Sequence, residues 1–345
     1  MSLTRRGWLQ GAAWGVAIAG GVVAARRTRL RVLVLGGTGF VGRHIVAAAL
    51  ARGHAVTLFN RGRTGPGLFP EAEELLGDRK DDLGALRGRS WDVVIDTSGV
   101  DPRWVRRSSA QLHAAVGRCV FVSSTAAYAR GGGRRRSEDS PTFAASTEAA
   151  KVYGEQKAAG EREVLRYFAG RATIVRSADL VGPYDNDRRH RFVRWPLRAR
   201  AGGEFVALGR PGDGVAFTDA RDMAGWIAGV IERDVRGVFN VAGPPFTLGA
   251  LAAAAIAVGG PATPVWIERD WAEVEAIDRK RLPLGTGSTY EMGSPRAVVR
   301  GLCFRPLVAT MADTLAWWDA QGEAAEGMTR AEEQAVIAAW RAFAR

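Results

Sequence analysis

Val32-Leu33-Val34-Leu35-Gly36-Gly37-Thr38-Gly39-Phe40-Val41-Gly42 runs almost directly into His44-Ile45-Val46-Ala47-Ala48-Ala49-Leu50. Four consecutive apolar residues read as a short buried strand, and the apolar-periodic segment after the glycines reads as a helix. Gly36, Gly39 and Gly42 stand three apart between them. In a strand–turn–helix such glycines serve a tight turn, a close approach of backbone to a pyrophosphate, and close helix-on-strand packing. Free N–H groups at the helix start add a partial positive charge toward phosphate oxygens. Glycine spacing alone also occurs without a ligand. Its place after a strand and at a helix start makes Gly36, Thr38, Gly39, Phe40, Val41 and Gly42 candidates for holding a dinucleotide.

Outward from this turn the pattern continues. Ala55-Val56-Thr57-Leu58-Phe59 reads as a second strand, ending in Asn60-Arg61-Gly62-Arg63. At this place an acid hydrogen-bonds a ribose 2′-hydroxyl, whereas arginine accommodates a 2′-phosphate. No acid is present, so Asn60, Arg61 and Arg63 favour NADP, with NAD as the alternative. Leu75-Leu76-Gly77-Asp78-Arg79 reads as a third strand and its exit, and Asp92-Val93-Val94-Ile95-Asp96 as a fourth leading to Thr97-Ser98-Gly99. A helix is expected over about 103–116, then a fifth strand Arg118-Cys119-Val120-Phe121-Val122 with Ser123-Ser124-Thr125 at its end. Strands alternating with helices make an α/β protein with a parallel, doubly wound sheet. Ligands of such sheets bind beyond the carboxyl ends of the strands, where Asp78, Arg79, Thr97, Ser98, Gly99 and Ser123 all fall.

The chain has 345 residues, 47% hydrophobic and 24% charged, which excludes a disordered protein and provides an ample core. Its net charge of +12 is carried almost wholly by arginine. That charge suits an anionic ligand, a nucleic acid or a membrane surface, but an Arg-rich solvated surface is the preferred reading. Cys119 and Cys303 are too few for a disulfide framework, and His44, His54, His113 and His190 lack metal-ligand spacing, so no metal is expected. Residues 1–28 differ from the rest. Arg5-Arg6 precedes Trp8-Leu9 and a Gly/Ala-rich apolar segment that ends in Val23-Ala24-Ala25 before Arg26-Arg27. This reads as a twin-arginine export signal, with an uncleaved membrane anchor or an over-long start to a cytoplasmic chain as rivals. Residues 129–142, containing Arg134-Arg135-Arg136, read as a charged, solvated loop rather than a nucleic-acid contact.

Residues 147–169 have helix-forming composition and contain Tyr153-Gly154-Glu155-Gln156-Lys157. Tyr and Lys at i and i+4 share one helical face. A phenol with a pKa near ~10 is a poor acid or base at neutral pH, and an adjacent ammonium lowers it. Ser124, at the end of the fifth strand, can donate to the same substrate oxygen. Ser124, Tyr153 and Lys157 together would polarise a carbonyl or deprotonate an alcohol while hydride moves to or from a nicotinamide.

These pieces together resemble the extended short-chain dehydrogenase/reductases, the NAD(P)-dependent epimerase/dehydratase family. The likeness is carried by the glycine turn at 36–42, Gly77-Asp78-Arg79, Phe121 to Tyr128 and Tyr153-Gly154-Glu155-Gln156-Lys157. It continues through Arg176 with Gly182-Pro183, Phe217 to Asp222, Val238-Phe239-Asn240 and Gly301 to Pro306. The resemblance implies a Rossmann-type core over 29–180 and a smaller carboxyl-terminal substrate lobe over 181–320, interleaved with the last core elements. Residues 321–345 read as a terminal helical segment. It implies that Asp78 contacts adenine, that Lys157 also holds the nicotinamide ribose, and that subunits pair as a homodimer. Thr125 and Ala126 stand where the family's 4,6-dehydratases carry an acidic pair, which disfavours that reaction. Asn60-Arg61-Gly62 and Gly77 to Asp82 also resemble a branch that includes chloroplast stem-loop RNA-binding proteins.

The expected protein is an NAD(P)-dependent oxidoreductase or epimerase that transfers hydride at a hydroxyl or carbonyl carbon of a sugar-like or other small substrate. One alternative is a nucleotide-sugar 4-epimerase with tightly held NAD; another is a nucleotide-sensing or RNA-binding protein on the same fold. Arg188, Arg189, His190, Arg191 and Arg194 either clamp a nucleotide-sugar diphosphate or form a basic loop leading into a helix. Trp266, Trp271, Trp317 and Trp318 read as packing.

Overall fold

The computed structural model describes residues 29–131, 136–185, 192–274, 292–322 and 327–345. The proposed signal or anchor at 1–28, Arg134 and Arg135 of the charged loop, and Arg188 to Arg191 lie outside the described residues. The first half runs β1 (Arg31–Leu35), α1 (Phe40–Ala51), β2 (Ala55–Asn60), β3 (Glu73–Leu76) and β4 (Trp91–Asp96). It continues through α2 (Pro102–Leu112), β5 (Val116–Ser124), α3 (Tyr153–Tyr167) and β6 (Ala172–Ser177). Then come β7 (Leu180–Val181), α4 (Arg194–Arg200), β8 (Gly203–Leu208), β9 (Gly214–Val215), β10 (Thr218–Asp219), α5 (Ala220–Glu232) and β11 (Gly237–Val241). The chain closes with β12 (Phe246–Thr247), α6 (Leu248–Gly259), β13 (Ala262–Ile267), α7 (Arg269–Val274), α8 (Pro295–Val299), α9 (Leu307–Gln321) and α10 (Arg330–Phe343).

Seven strands form one parallel sheet in the order β11-β6-β5-β4-β1-β2-β3. Because side chains alternate across a strand, each strand feeds two cores. Val32, Val34, Val56, Leu58, Val93, Ile95, Val120 and Val122 face the layer that contains α1 and α5. Leu33, Leu35, Phe59, Val94, Cys119, Phe121 and Ile174 face the opposite layer, with Val105 of α2 and Val164 of α3. This two-sided burial explains why the strands read as unbroken apolar runs. From β1 the chain winds outward to β2 and β3, then returns to β4 on β1's other side. The helices that follow β1 and β4 therefore pack on opposite faces of the sheet, and a crevice forms at the carboxyl edge between them.

Several boundaries differ from expectation. The third strand is Glu73–Leu76, because Asp78 closes a turn: its carbonyl accepts from the N–H groups of Asp81 (3.0 Å) and Asp82 (2.6 Å). Helix α2 stops at Leu112 and β5 starts at Val116. Helix α3 starts at Tyr153 rather than Thr147. There Glu155 Oε2 accepts from the backbone N–H groups of Lys151 (3.0 Å) and Val152 (3.4 Å), satisfying donors at the helix entrance.

Beyond β6 the alternation gives way to three two-stranded ladders, β7 with β10, β9 with β12, and β8 with β13. They surround a separate core built on Phe192, Trp195, Phe205, Phe217, Leu248, Leu251 and Met311. Trp318 is buried, Trp266 packs against the core around Trp195, and Trp271 meets Trp340 edge to face at 5.2 Å.

Candidate functional site

The three turn glycines are glycine for different reasons. Gly36 has φ +85°, a left-handed conformation that side chains disfavour, and a Cβ there would sit 2.7 Å from Ser98 Cβ. A Cβ on Gly42 would lie 2.1 Å from the Gly36 carbonyl oxygen, so α1 packs on the turn only without one. Gly39 is unlike both. Its φ of −75° suits any residue, and a Cβ would find nothing nearer than the Gly36 oxygen at 3.7 Å. No intramolecular packing forbids a side chain at Gly39, yet the residue borders an open cleft. Helix α1 has no side-chain cap and no acid in its first turn, which leaves its first N–H groups free for an anion. These features fit the pyrophosphate of a dinucleotide.

The cleft measures about 600 Å³ and is bordered by Gly36, Thr38, Gly39, Phe40, Val41, Gly42, Asn60, Arg61, Arg63, Asp78, Arg79, Thr97 and Ser98. Within it, several side chains are already committed. The Asn60 amide donates to Glu74 (3.0 Å) and accepts from Gly62 N–H (2.7 Å), shaping the turn after β2. Thr97 donates to the Leu35 and Gly36 carbonyls (3.0 and 3.1 Å), tying the β4 loop to the glycine turn. Arg61 and Arg63 are exposed, with no carboxylate partner among the described residues.

Two of the expected cofactor residues are held by partners within the protein. Arg79 is buried, and its guanidinium spans both Asp96 oxygens (2.6 and 2.8 Å) and the hydroxyls of Ser98 (3.0 Å) and Ser108 (2.9 Å). Its charge is committed to the end of β4, and the residue also borders the cleft. Ser123 is also buried, and its hydroxyl donates to Glu161 (2.5 Å), part of a buried pair in which Arg176 Nη2 reaches the same carboxylate at 2.7 Å. Ser123 therefore borders neither cleft. Gly99 borders neither cleft and acts through its carbonyl, which accepts from Lys157.

A second cleft of about 600 Å³ shares Phe40 and Val41 with the first and is bordered by Ser124, Thr125, Tyr153, Asp179, Asp185 and Arg136. Gly154 allows the start of α3 to meet the turn after β5, since a Cβ there would lie 2.2 Å from the Ala126 oxygen. That contact sets Tyr153 beside Ser124, whose Oγ accepts from Ala126 N–H at 3.1 Å. Lys157, one turn on, is buried and donates to the carbonyls of Gly99 and Val122, each at 2.9 Å. Burial pushes its pKa down to about 8, opposed by the Asp96 charge.

The Tyr153 pKa is raised rather than lowered. Desolvation holds the phenol above its ordinary value; the Ser124 hydrogen bond pulls down and the Asp179 charge pushes up. The reason is geometric: the Lys157 ammonium turns to two carbonyls, 5.8 Å from the centre of the Tyr153 ring. An ammonium has three donors, so one remains for a further partner.

Asp179, Asp185 and Met292 were not singled out in the sequence, and Arg136 was read only as part of a solvated loop, although all four border the second cleft. Asp179 had one signal, its place between Arg176 and Gly182-Pro183. Arg194 is buried at the start of α4 and borders neither cleft. The Cys119 thiol is buried, which pushes its pKa up and leaves it inert. Among the described residues no cluster of three or more His, Cys, Asp or Glu could hold a metal, and no helix is long and apolar enough to cross a membrane.

A parallel sheet with a glycine-turn crevice, continuous with a cleft bordered by Ser124 and Tyr153 and backed by the buried Lys157, defines a nucleotide-binding α/β enzyme. Residues 32–242 match the model of the NAD dependent epimerase/dehydratase family, and the chain belongs to that family. The chloroplast stem-loop binding protein of 41 kDa b from Arabidopsis thaliana is 23% identical over 286 residues, 76% of this chain and 72% of that protein. An epimerase from Methanothermobacter thermautotrophicus shares the fold with a TM-score of 0.64 at 17% identity, covering 86% of this chain and 94% of its own. The UDP-glucuronic acid 4-epimerase from Bacillus cereus, solved in complex with NAD, gives 0.59 at 17% identity over 85% and 100%.

Proposed function

We propose that the protein is an NADP-dependent oxidoreductase or epimerase acting at a hydroxyl or carbonyl carbon of a sugar-like substrate. The observation that carries this reading is the continuity of the two clefts through Phe40 and Val41, which sets Ser124 and Tyr153 beside the glycine-turn crevice. Gly36, Gly39, Gly42 and the start of α1 would hold the pyrophosphate. Asp78 would meet the adenine, and Arg61 and Arg63 a 2′-phosphate. When bound, the nicotinamide supplies or accepts a hydride. Ser124 would donate a hydrogen bond to the substrate oxygen, and Tyr153 would give or take that oxygen's proton. Lys157, anchored on two carbonyls, would offer its third N–H to the nicotinamide ribose and its charge to the phenolate.

A nucleotide-sugar 4-epimerase that retains NAD is the second reading, favoured by the NAD-bound epimerase neighbour. The test is turnover of NADPH and NADH against sugars, nucleotide sugars and simple ketones, with Tyr153→Phe as control. We expect Tyr153→Phe to cut kcat by roughly 10²–10⁴ while cofactor affinity holds. Cofactor released after each turnover supports the oxidoreductase; cofactor retained through turnover supports the epimerase. Full activity in Tyr153→Phe overturns both. Export through residues 1–28 remains our reading of that segment, tested by signal-dependent secretion of a fused reporter.

A further inference from the structure

The adenosine end of the first cleft carries more positive charge than the strand-two motif explains. Along the exit from β3, consecutive residues part company. Arg79 turns inward and is consumed by Asp96, Ser98 and Ser108. Lys80 is exposed and borders the cleft with Arg61 and Arg63. Its backbone is pinned on both sides: the Lys80 N–H donates to Asp78 Oδ1 (2.9 Å), and the Lys80 carbonyl accepts from Arg107 (2.5 Å). The neighbouring Asp81 carbonyl accepts from the same guanidinium at 3.0 Å. A lysine with a fixed Cα and an ammonium without a carboxylate partner among the described residues is preset for a ligand.

We infer that Lys80 is the third cation of a phosphate-ester subsite, joining Arg61 and Arg63 around the ribose of an adenine dinucleotide. The inference rests on the NADP reading above and names the residue that completes it. A phosphate monoester carries between one and two negative charges near neutral pH, so three cations from two strand ends match it. A bare 2′-hydroxyl leaves those cations facing one another, which disfavours NADH by repulsion as well as by lost attraction. Two of the nearby acids each hold a backbone donor: Asp78 Oδ1 accepts from the Lys80 N–H (2.9 Å) and Asp82 Oδ1 from the Gly84 N–H (2.8 Å). The Asn60 amide is likewise committed to the protein.

The test titrates NADPH, NADH, 2′,5′-ADP and 5′-ADP into the full-length protein and its Lys80→Met and Lys80→Arg variants, at two salt concentrations. Lys80→Met should weaken NADPH and 2′,5′-ADP about tenfold, the size of one charge-assisted hydrogen bond. NADH and 5′-ADP should change less than about twofold on the same scale, and Lys80→Arg should retain wild-type preference. An equal loss for both members of each pair would mean that Lys80 reads a general phosphate or supports the fold, and overturns the inference. Wild type that prefers NADPH, with Lys80→Met unchanged, also overturns it while leaving the NADP reading intact. Wild type without a preference for NADPH removes both.

Discussion

Lys157 carries a cost that the sequence motif conceals. The motif places a cation beside a phenol, whereas the fold buries that cation against two carbonyls. The native lysine releases its proton near pH 8, while an unperturbed lysine holds it to 10.5. Between those values the unfolded chain binds more protons than the native one, so this residue makes stability rise with pH across that window. Comparing urea unfolding of wild type and Lys157→Met from pH 7.5 to 10.5 isolates the effect. The stability of wild type relative to the variant should grow as pH rises, and a flat difference would contradict the burial. Residue identities were legible here in type and spacing. What spacing could not convey was commitment: which side chain borders a cleft, as Asp179 does, and which is drawn into a buried ion pair, as Arg79 is.

At the scale of elements, the loop after β4 is the shared wall of the site. Thr97 binds it to the glycine turn, Arg79 binds it to the β3 exit, and Lys157 reaches its Gly99 carbonyl. Asp96 is only 3% exposed, so removing its partner strands a buried carboxylate. Arg79→Met should therefore cost about 3–5 kcal/mol, in the range for breaking one half of a buried pair. Chemical denaturation reads it directly, and a loss below about 1 kcal/mol, typical of an exposed pair, would contradict the placement. The pair joins residues 17 apart on different elements, out of reach of any local pattern. The start of α3 was hidden for a similar reason. Glu155 captures the N–H groups that end the preceding segment, and Gly154 meets Ala126 across the fold. The strands themselves were legible, because burial on both faces writes continuous apolar runs into the chain.

For the whole molecule, the parallel sheet followed from strand–helix alternation, and its winding reversal sets the crevice where the motifs converge. The second half resisted reading, since its ladders β7–β10 and β9–β12 pair only two residues each. The terminal helix α10, without chemistry in the sequence, docks on β8 through the buried Glu333, which accepts from Val206 N–H and Arg198 Nε, each at 3.1 Å. Such long-range polar contacts leave no periodic trace.

The central claim is that the crevice at the β1–β4 reversal holds a nicotinamide dinucleotide. Gly39 tests it most directly, because its glycine serves no packing need within the protein, unlike Gly42. The measurement is calorimetric titration of NADPH into wild type and Gly39→Val, with thermal melting of both. Saturable binding to wild type, lost in Gly39→Val at an unchanged melting temperature, is the predicted result. Absence of binding to wild type, or binding undiminished by the valine, would contradict the account.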